Sequence, residues 1–322
     1  YINKNMTMRI SIIIPTTSKT LPYLLKCVES IQSTSLEYHD IIIVSNAGPH
    51  YEIPTNGSEY IKRFHHEERG MCKAFNYGVT QIDTKYGMLV DDDFVFPPGW
   101  EKILDKLEET DDRGNIIVER KWLFGQLVEP GRRGSSFIPQ DFGDTLETFN
   151  EQGYRDFILT KQQDKIQQGF GFPILFTKQA WQEIEGYDLV WDPYGSNSDS
   201  DLEYKIMLAG YPMEQYLGCL WYHFQSKSDI FTAKEAEDYW TRNNNHFPRR
   251  WGFGRPGSPR IWSTEFIIPL DKLLYKPSWA KLTDNPHVQP DETYNVFTEC
   301  PVDRFNYLNW RNPNGCPKCL AK

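Results

Sequence analysis

The sequence predicts an α/β domain built on a doubly wound, mostly parallel sheet. Short apolar runs, each closed by Pro or by small polar residues, alternate with segments whose apolar residues recur at helical spacing. This alternation of strand and helix is typical of parallel sheets. In addition, acidic residues follow one of the apolar runs, at the strand edge where open α/β sheets bind their ligands.

The N-terminal third of the chain follows this alternation closely. The expected strands are Arg9–Thr17, Asp40–Gly48, Tyr60–His65 and Tyr86–Val90. The expected helices contain Leu24–Ile31, Gly70–Val79 and Trp100–Glu109. Together these elements predict strand, helix, strand, helix and strand in the order of a doubly wound sheet.

The remainder of the chain is less regular. Residues Asp111–Gln168 are polar and weakly periodic, and a mobile loop is expected at Gly131–Ser136. Regular patterns return with the expected elements Gly169–Phe176 (strand), Lys178–Glu185 (helix), Asp199–Gly210 (helix) and Cys219–His223 (strand). From about Thr264 onwards the chain is rich in Pro and loop residues.

The composition excludes several classes of protein. The formal net charge of −9 and the pI near 5.4 disfavour general nucleic-acid binding, which requires a basic surface. No run approaches the roughly 20 apolar residues that span a bilayer, and the N-terminus lacks the apolar core of a signal peptide. Six Cys in 322 residues are too few for a disulfide scaffold, so a reducing, cytoplasmic compartment is expected.

The acidic residues Asp91, Asp92 and Asp93 end the apolar strand that begins near Tyr86. Charge at the end of a buried strand is costly unless something pairs with it. A divalent cation is the expected partner, because hard cations prefer carboxylate oxygens. The alternative interpretation is a solvated acidic turn.

Three further motifs follow the aspartates in a fixed order. They are the turn Gly186–Asp188, the acidic segment Ser198–Leu202 and His223 on a later strand. This order resembles the family 2 glycosyltransferases, which have the GT-A (nucleotide-diphospho-sugar transferase) fold, and the resemblance covers Ile10 to Trp251. It implies a catalytic domain at 8–255, with a nucleotide-binding half at about 8–110 and an acceptor half at about 111–255. An aromatic, Pro-rich, loop-rich C-terminal extension would occupy 256–322.

The resemblance implies metal-dependent transfer of a sugar from a nucleotide-sugar donor, such as a UDP- or GDP-sugar, to an acceptor hydroxyl. A bound Mn²⁺ or Mg²⁺ would stabilise the charge that grows on the diphosphate. Asp93 is the expected direct metal ligand, with Asp91 on the ribose or on metal-bound water. By resemblance His223 is a further ligand, which would favour Mn²⁺; otherwise it is a core or surface histidine.

The acceptor hydroxyl needs a base, and a carboxylate opposite the leaving group supplies one in a one-step inversion. Asp199 matches the second acid of the family's E-D-x-D-L motif, and Ser198 departs from the first. Asp199 is therefore the leading candidate and Asp201 the second. Asp201 would alternatively cap the helix that follows it.

Donor contacts are expected from the ends of neighbouring strands and from two later segments. The candidates are Pro15, Thr16, Thr17, Ser45, Asn46, Gly70, Lys73, Asn76, Asp91, Asp92, Arg249 and Arg250. Asn46 stands where Asp is common in the family. Lys73 would reach a phosphate or remain solvated, and the two arginines would close over the diphosphate or lie on a solvated helix end.

The C-terminal extension adds two expectations. Eight of the ten Trp lie at or after Trp181, so aromatic faces would shape a glycan acceptor site or serve ordinary packing. Cys316 and Cys319 form a C-x-x-C, and with Cys300 and His287 they would suit a structural zinc site.

Two other functions are compatible with such a sheet. A nucleotidyltransferase would need a Gly-rich phosphate loop after the first strand, and 15–20 contains no Gly. A catalytically inert carbohydrate-binding relic would have lost its metal-site acids, whereas Asp91, Asp93 and Asp199 are present.

Overall fold

A large mixed β-sheet lies at the centre of the protein. The computed structural model describes residues 8–46, 58–66, 69–131, 138–225, 227, 234–253, 268–289, 298–299 and 306–307. Within them the longer helices are α1 (Leu21–Thr34), α2 (Met71–Thr80), α3 (Glu151–Lys161), α4 (Lys178–Glu183), α5 (Ser198–Leu208) and α6 (Lys234–Trp251). Short 3-10 helices occupy Ser18–Thr20, Trp100–Lys106 and Leu189–Trp191.

The strands are as follows. The first eight are β1 (Ser11–Thr16), β2 (Asp40–Asn46), β3 (Ile61–His66), β4 (Tyr86–Leu89), β5 (Phe94–Val95), β6 (Glu108–Thr110), β7 (Ile116–Glu119) and β8 (Trp122–Glu129). The others are β9 (Ile138–Pro139), β10 (Ile166–Gln168), β11 (Ile174–Thr177), β12 (Glu214–His223), β13 (Ile268–Pro269), β14 (Val288–Gln289), β15 (Thr298–Glu299) and β16 (Asn306–Tyr307).

The order of strands in the central sheet explains where the site forms. The order is β10-β12-β8-β11-β4-β1-β2-β3, with β5 beside β12 and β9 beside β8. Strands β4, β1, β2 and β3 are parallel. Strand β11 is antiparallel to both β4 and β8, and β12 is parallel to β8. Strands β4, β8 and β12 therefore run in one direction, and their carboxyl ends share an edge with those of β1 and β2.

Apolar residues on both faces of the inner strands build the core. All residues of β1, β2 and β4 are buried, which fits their nearly continuous Ile, Leu and Val content. Helix α2 packs closely on this layer at Gly78, where an added Cβ would lie 2.3 Å from Ile13 Cγ2. The α/β class and the mostly parallel central sheet predicted from the sequence are thus confirmed.

The structure also corrects several element boundaries. The polar region 111–168 contains β8, a central and mostly buried strand that the periodicity did not reveal because Gly125 and Gln126 interrupt its apolar run. The expected helix at 100–109 is the 3-10 helix Trp100–Lys106, and the last strand is longer than expected, beginning at Glu214. The loop predicted at 131–136 lies outside the described residues except for Gly131.

Residues 268–289 pack against α5 although they belong to the predicted extension. The Lys281 amide donates to the Leu208 carbonyl at 2.8 Å, and the Asn285 amide group donates to the carbonyls of Met207 and Leu208. Ile268 is fully buried. This segment therefore covers the C-terminal end of α5.

Candidate active site

Side chains from three strand ends meet at the carboxyl edge of the sheet. Asp91 and Asp93 follow β4, and His223 is the last residue of β12. Oxygen or nitrogen atoms of these three residues all lie within 4.8 Å of one another, which makes them a candidate metal-binding group among the described residues. Residues far apart in sequence are brought together because β4, β8 and β12 run in one direction.

A fourth residue of the cluster, Glu129, comes from the end of β8. His223 Nε2 lies 3.2 Å from Asp93 Oδ1, and its Nδ1 lies 2.6 Å from Glu129 Oε1. The Glu129 side chain is buried, and its other oxygen, Oε2, has no hydrogen-bond partner among the described residues. The imidazole is therefore held between two carboxylates.

The spacing of Asp93 and His223 fits a shared cation. His223 Nε2 and Asp93 Oδ1 are 3.2 Å apart, and one donor atom from each of Asp91, Asp93 and His223 lies within 4.8 Å of the others. These three side chains could therefore hold one cation between them. Two carboxylates and an imidazole are also a donor set that suits Mn²⁺.

The electrostatics of the cluster also favour a cation. Burial raises the pKa of Asp91 to about 7; nearby His223 opposes the shift, whereas the charges of Asp93, Asp199 and Glu129 add to it. Burial by itself would lower the pKa of His223, but the charges and hydrogen bonds of Asp93 and Glu129 raise it well above its ordinary value. The carboxylates of Asp91, Asp93 and Glu129 thus surround one imidazole, and a divalent ion would offset the excess negative charge.

Asp92 has different surroundings from the aspartates on either side. Its carboxylate accepts a hydrogen bond from the Thr20 hydroxyl, next to the end of β1. Burial, followed by the charge of Asp93, raises the pKa of Asp92 to about 8, although hydrogen bonds from Thr16 and Thr20 oppose the shift. Asp92 therefore links the acidic turn to Thr16, the last residue of β1, and to Thr20 shortly after it.

Asp199 lies in the first turn of α5 and is half-buried. The helix begins at Ser198, after a turn in which Gly195 and Asn197 both have positive φ. The charge of Asp199 is one of the causes of the raised pKa of Asp91, so the two carboxylates lie in the same part of the molecule. Helix α5 thus presents Asp199 towards the acidic cluster.

Asp201, two residues later, is buried in a different network. Its Oδ1 accepts hydrogen bonds from Arg250 Nε and Trp251 Nε1, both at 2.9 Å. Arg250 also pairs with Asp188 at 2.8 Å and stacks on the Tyr275 ring at 3.8 Å. Because the helix begins at Ser198, Asp201 is not the helix cap, and that alternative is wrong.

The expected donor-binding residues lie around the ends of β1 and β2. Thr16 and Ser45 are register partners on these strands, and Asn46 donates to the Thr16 carbonyl at 3.3 Å. The Asn46 side-chain oxygen accepts from the Gly70 amide at 3.4 Å. Asn46 therefore joins β1, β2 and the start of α2, while Pro15 and Thr17 flank Thr16 at the same edge.

Helix α2 carries two of the other predicted donor residues. The Asp192 carboxylate accepts hydrogen bonds from the backbone amides of Cys72 at 2.8 Å and Lys73 at 3.2 Å. The Asn76 amide side chain pairs with both the backbone N–H and the carbonyl of Tyr187, at 3.0 and 2.8 Å. Asn76 thus positions the turn that precedes α5.

The remaining predicted residues differ in their surroundings. Arg249 is exposed on α6, whereas Arg250 is occupied by Asp188 and Asp201. His287 Nε2 donates to the Tyr211 carbonyl at 3.0 Å, and Cys300, Cys316 and Cys319 lie outside the described residues. The structure therefore gives no support to the zinc site.

Sequence reasoning missed Glu129 and Asp192. Glu129 ends an apolar strand just before Pro130 and Gly131, which is the same pattern that drew attention to Asp91–Asp93. That signal was available but lay in a segment considered irregular. Asp192 has no local signal, because its partners on α2 are about 120 residues away.

Comparisons with known proteins agree with this architecture. Residues 11–167 match the family described as Glycosyl transferase family 2. Among solved structures, GalNAc-T7 in a crystal with UDP, GalNAc and Mn²⁺ is similar with a TM-score of 0.53 and 13% identity over 77% of this chain and 49% of that chain. S. aureus TarS 1-349 has a TM-score of 0.43 and 14% identity over 74% of this chain and 72% of that chain.

The chain spans about half the length of GalNAc-T7, and 13% identity establishes a shared fold but no shared substrate. No curated protein matches the sequence. Within the described part of the chain, no helix has both the length and the apolar character required to cross a bilayer. Residues 11–167 thus match the model of Glycosyl transferase family 2, and the chain has the GT-A fold of these glycosyltransferases.

Proposed function

We propose that the protein transfers a hexosyl group from a nucleotide-sugar donor to an acceptor hydroxyl, in a metal-dependent reaction that inverts the anomeric carbon. The observation that carries this proposal is the group of Asp91, Asp93 and His223 at the carboxyl edge of the sheet, facing Asp199. The family match over residues 11–167 supports the reaction class.

Asp93 and His223 would hold a divalent cation, with Asp91 completing the site or contacting the ribose. The cation, when bound, stabilises negative charge on the diphosphate leaving group. The donor set favours Mn²⁺ over Mg²⁺ because it includes an imidazole. The presence of UDP and Mn²⁺ in the GalNAc-T7 crystal is consistent with a UDP-sugar and Mn²⁺, and a GDP-sugar remains the second candidate donor.

Asp199 would act as the base. It accepts the acceptor hydroxyl proton while the acceptor oxygen forms a bond to the anomeric carbon and the bond from that carbon to the diphosphate breaks. Asp199 suits this role better than Asp201, because Asp199 is half-buried and acts on the pKa of Asp91, whereas Asp201 is buried against Arg250 and Trp251.

The donor would lie along the ends of β1 and β2. Pro15, Thr16, Thr17, Ser45 and Asn46 would seat the base and ribose, close to Gly70 at the start of α2. Lys73 and the exposed Arg249 would reach the diphosphate. The glycan or other acceptor would approach from the side of α5 and α6, where aromatic residues such as Tyr194 and Tyr239 pack together.

Thermal unfolding with a panel of donors tests this proposal. The protein would be heated with UDP-, GDP-, CDP- and dTDP-sugars, each with Mn²⁺ and with EDTA, because a bound ligand raises the melting temperature by mass action. One donor is expected to raise it in Mn²⁺ only. No stabilisation by any donor in either condition would instead favour the carbohydrate-binding relic.

The stereochemistry needs a separate measurement. Once a donor is identified, NMR coupling constants of the new linkage report its anomeric configuration. The proposal expects the configuration opposite to that of the donor. Retention would contradict the role of Asp199 as a base acting on the acceptor.

A further inference from the structure

We infer that Glu129 is a positioning residue for the metal site: its carboxylate accepts the Nδ1–H of His223 and thereby leaves Nε2, which lies 3.2 Å from Asp93 Oδ1, as the nitrogen that binds a cation once the cation displaces its proton. This inference rests on the proposed metal dependence and deepens it. The two atoms, His223 Nδ1 and Glu129 Oε1, are 2.6 Å apart. Nothing in the local sequence around His223 identifies Glu129 as its partner.

The register of the sheet produces this contact. Strands β8 and β12 are parallel, and Val128 is the register partner of Tyr222. Glu129 and His223 are therefore the next residues on neighbouring strands, where side chains point to the same face of the sheet. The contact follows from the backbone pairing and does not depend on a loop.

The surroundings of both side chains restrict their orientation. The Glu129 side chain is buried, and that of His223 is largely so. The ring of Phe94 lies 5.0 Å from the imidazole ring, so it limits rotation of His223. Among the described residues, the charged groups that face His223 are Asp91, Asp93 and Glu129, and of these only Glu129 lies beside Nδ1.

The tautomer of His223 determines whether it can bind a metal. A neutral imidazole has one N–H and one lone pair, and only the nitrogen with the lone pair can be a ligand. A carboxylate at Nδ1 holds the proton there and leaves Nε2 available. Without that acceptor, the proton could occupy Nε2 and point at the metal position.

Mn²⁺ binding provides a readout that is independent of turnover. Free Mn²⁺ would be measured by electron paramagnetic resonance during titration of the wild type, Glu129→Leu and Glu129→Gln. Glu129→Leu removes the acceptor and is expected to weaken Mn²⁺ binding about 10- to 100-fold, the usual effect of losing such a partner. Glu129→Gln retains an oxygen that can accept from Nδ1, so a smaller loss is expected.

A matched control is available at the opposite edge of the sheet. Glu101 is also a buried glutamate bonded to a histidine, with Oε1 2.8 Å from His39 Nε2, but it lies outside the acidic cluster. Glu101→Gln should leave the Mn²⁺ dissociation constant unchanged. If Glu101→Gln weakened Mn²⁺ binding as much as the substitutions of Glu129 do, the effect of Glu129 would be general destabilisation. That result would overturn the inference.

The tautomer itself can be observed in the wild type. Nitrogen-15 chemical shifts of His223 with diamagnetic Mg²⁺ distinguish an Nδ1–H ring from an Nε2–H ring, and His223→Asn assigns the signals. A proton on Nδ1 supports the inference, and a proton on Nε2 overturns it. The inference is also overturned if Glu129→Leu binds Mn²⁺ as tightly as the wild type does. If the wild type binds no Mn²⁺, both the proposed metal dependence and this inference fail. If the wild type binds Mn²⁺ and Glu129→Leu binds it equally well, only this inference fails.

Discussion

Asp91, Asp92 and Asp93 are consecutive in the chain, yet each carboxylate has different neighbours. Asp93 lies 3.2 Å from His223, Asp92 accepts from Thr20, and Asp91 is raised in pKa to about 7 by burial together with the surrounding acids. Their chemistry therefore differs although their residue type does not. Substitutions within the triplet should have separable effects.

Asp93→Asn tests the proposed role of Asp93 as the main metal ligand. An amide is a weaker and uncharged ligand, so metal-dependent turnover should fall about a hundredfold or more, the scale expected for a main electrostatic stabiliser. Turnover would be measured over a range of Mn²⁺ concentrations, and circular dichroism would verify the fold. The exposed Asp112→Asn is the control. Near-normal activity of Asp93→Asn, or a wild type insensitive to EDTA, would contradict the assignment.

Asp199 and Asp201 should separate into a chemical role and a structural role. Asp199→Asn should reduce kcat strongly and leave donor affinity nearly unchanged, because the base acts on the acceptor proton in the transition state. Asp201→Asn should mainly reduce the free energy of unfolding, by about 1.5–3 kcal/mol for a weakened hydrogen bond to a charged group. Its partners Arg250 and Trp251 would lose a buried charged acceptor.

Turnover kinetics, donor calorimetry and urea unfolding of both variants distinguish these roles. If Asp201→Asn were stable but inactive and Asp199→Asn active, the assignments would be reversed. If both variants were active, the base would have to be a different residue of the acceptor pocket.

At the scale of elements, the N-terminus of α2 depends on a residue from a distant loop. Gly70 is the residue before the helix, and it has no side chain to accept the first amides. Asp192 accepts the amides of Cys72 and Lys73 instead. A Cβ at position 70 would lie 2.7 Å from Asp192 Oδ2, so glycine is required for this close approach.

Asp192→Ala should therefore destabilise the protein by about 1 kcal/mol, the usual cost of losing a capping acceptor. Asp192→Asn keeps an oxygen that can accept from the same amides and should cost less. The free energies of unfolding would be compared by urea titration. Equal stability of Asp192→Ala and the wild type would show that water replaces the carboxylate at no cost.

At the scale of the whole molecule, the two ends of the parallel strands carry different groups of charged side chains. The carboxyl edge carries the metal-site candidates, and the amino edge holds the buried pair of His39 and Glu101. The backbone N–H of Ile10 donates to His39 Nδ1 at 3.4 Å, so that nitrogen accepts and the ring is neutral. Burial lowers the pKa of His39, although the nearby Glu101 opposes the shift.

Because His39 is neutral in the folded protein, we expect the free energy of unfolding to depend on pH. The folded pKa of His39 lies below the unfolded value of about 6.5, so the unfolded chain binds more protons between the two values. The contribution of His39 to stability is therefore complete above pH 6.5 and is lost as the pH falls towards its folded pKa. His39→Gln does not titrate but keeps a donor for Glu101.

Urea unfolding at pH 7.5 and pH 5.5 measures this contribution. The wild type should lose more stability than His39→Gln between the two pH values, and comparing the two proteins cancels the titration of all other groups. An equal or smaller loss in the wild type would contradict a neutral, buried His39.

Local patterns in the sequence predicted the α/β class, most strands of the N-terminal third and the candidate residues Asp91 and Asp93, whereas Asp199 and His223 became candidates through the resemblance to the family. Apolar runs and their polar ends are local properties, because burial on both faces demands continuous apolar residues. The order of the motifs then indicated the family, and the match over residues 11–167 agrees.

Only the tertiary structure decided which of these residues are neighbours. The pairing of β11 between β4 and β8, antiparallel to both, makes the ends of β8 and β12 meet the end of β4 and brings Glu129 to His223. Helix α5 directs Asp199 and Asp201 to different surroundings, and Asp201 is bound to Arg250. Strand order and register depend on contacts between distant segments, and no local pattern in the sequence records them. The sequence by itself therefore determined which reactive side chains are present, and the sheet determined which of them are neighbours.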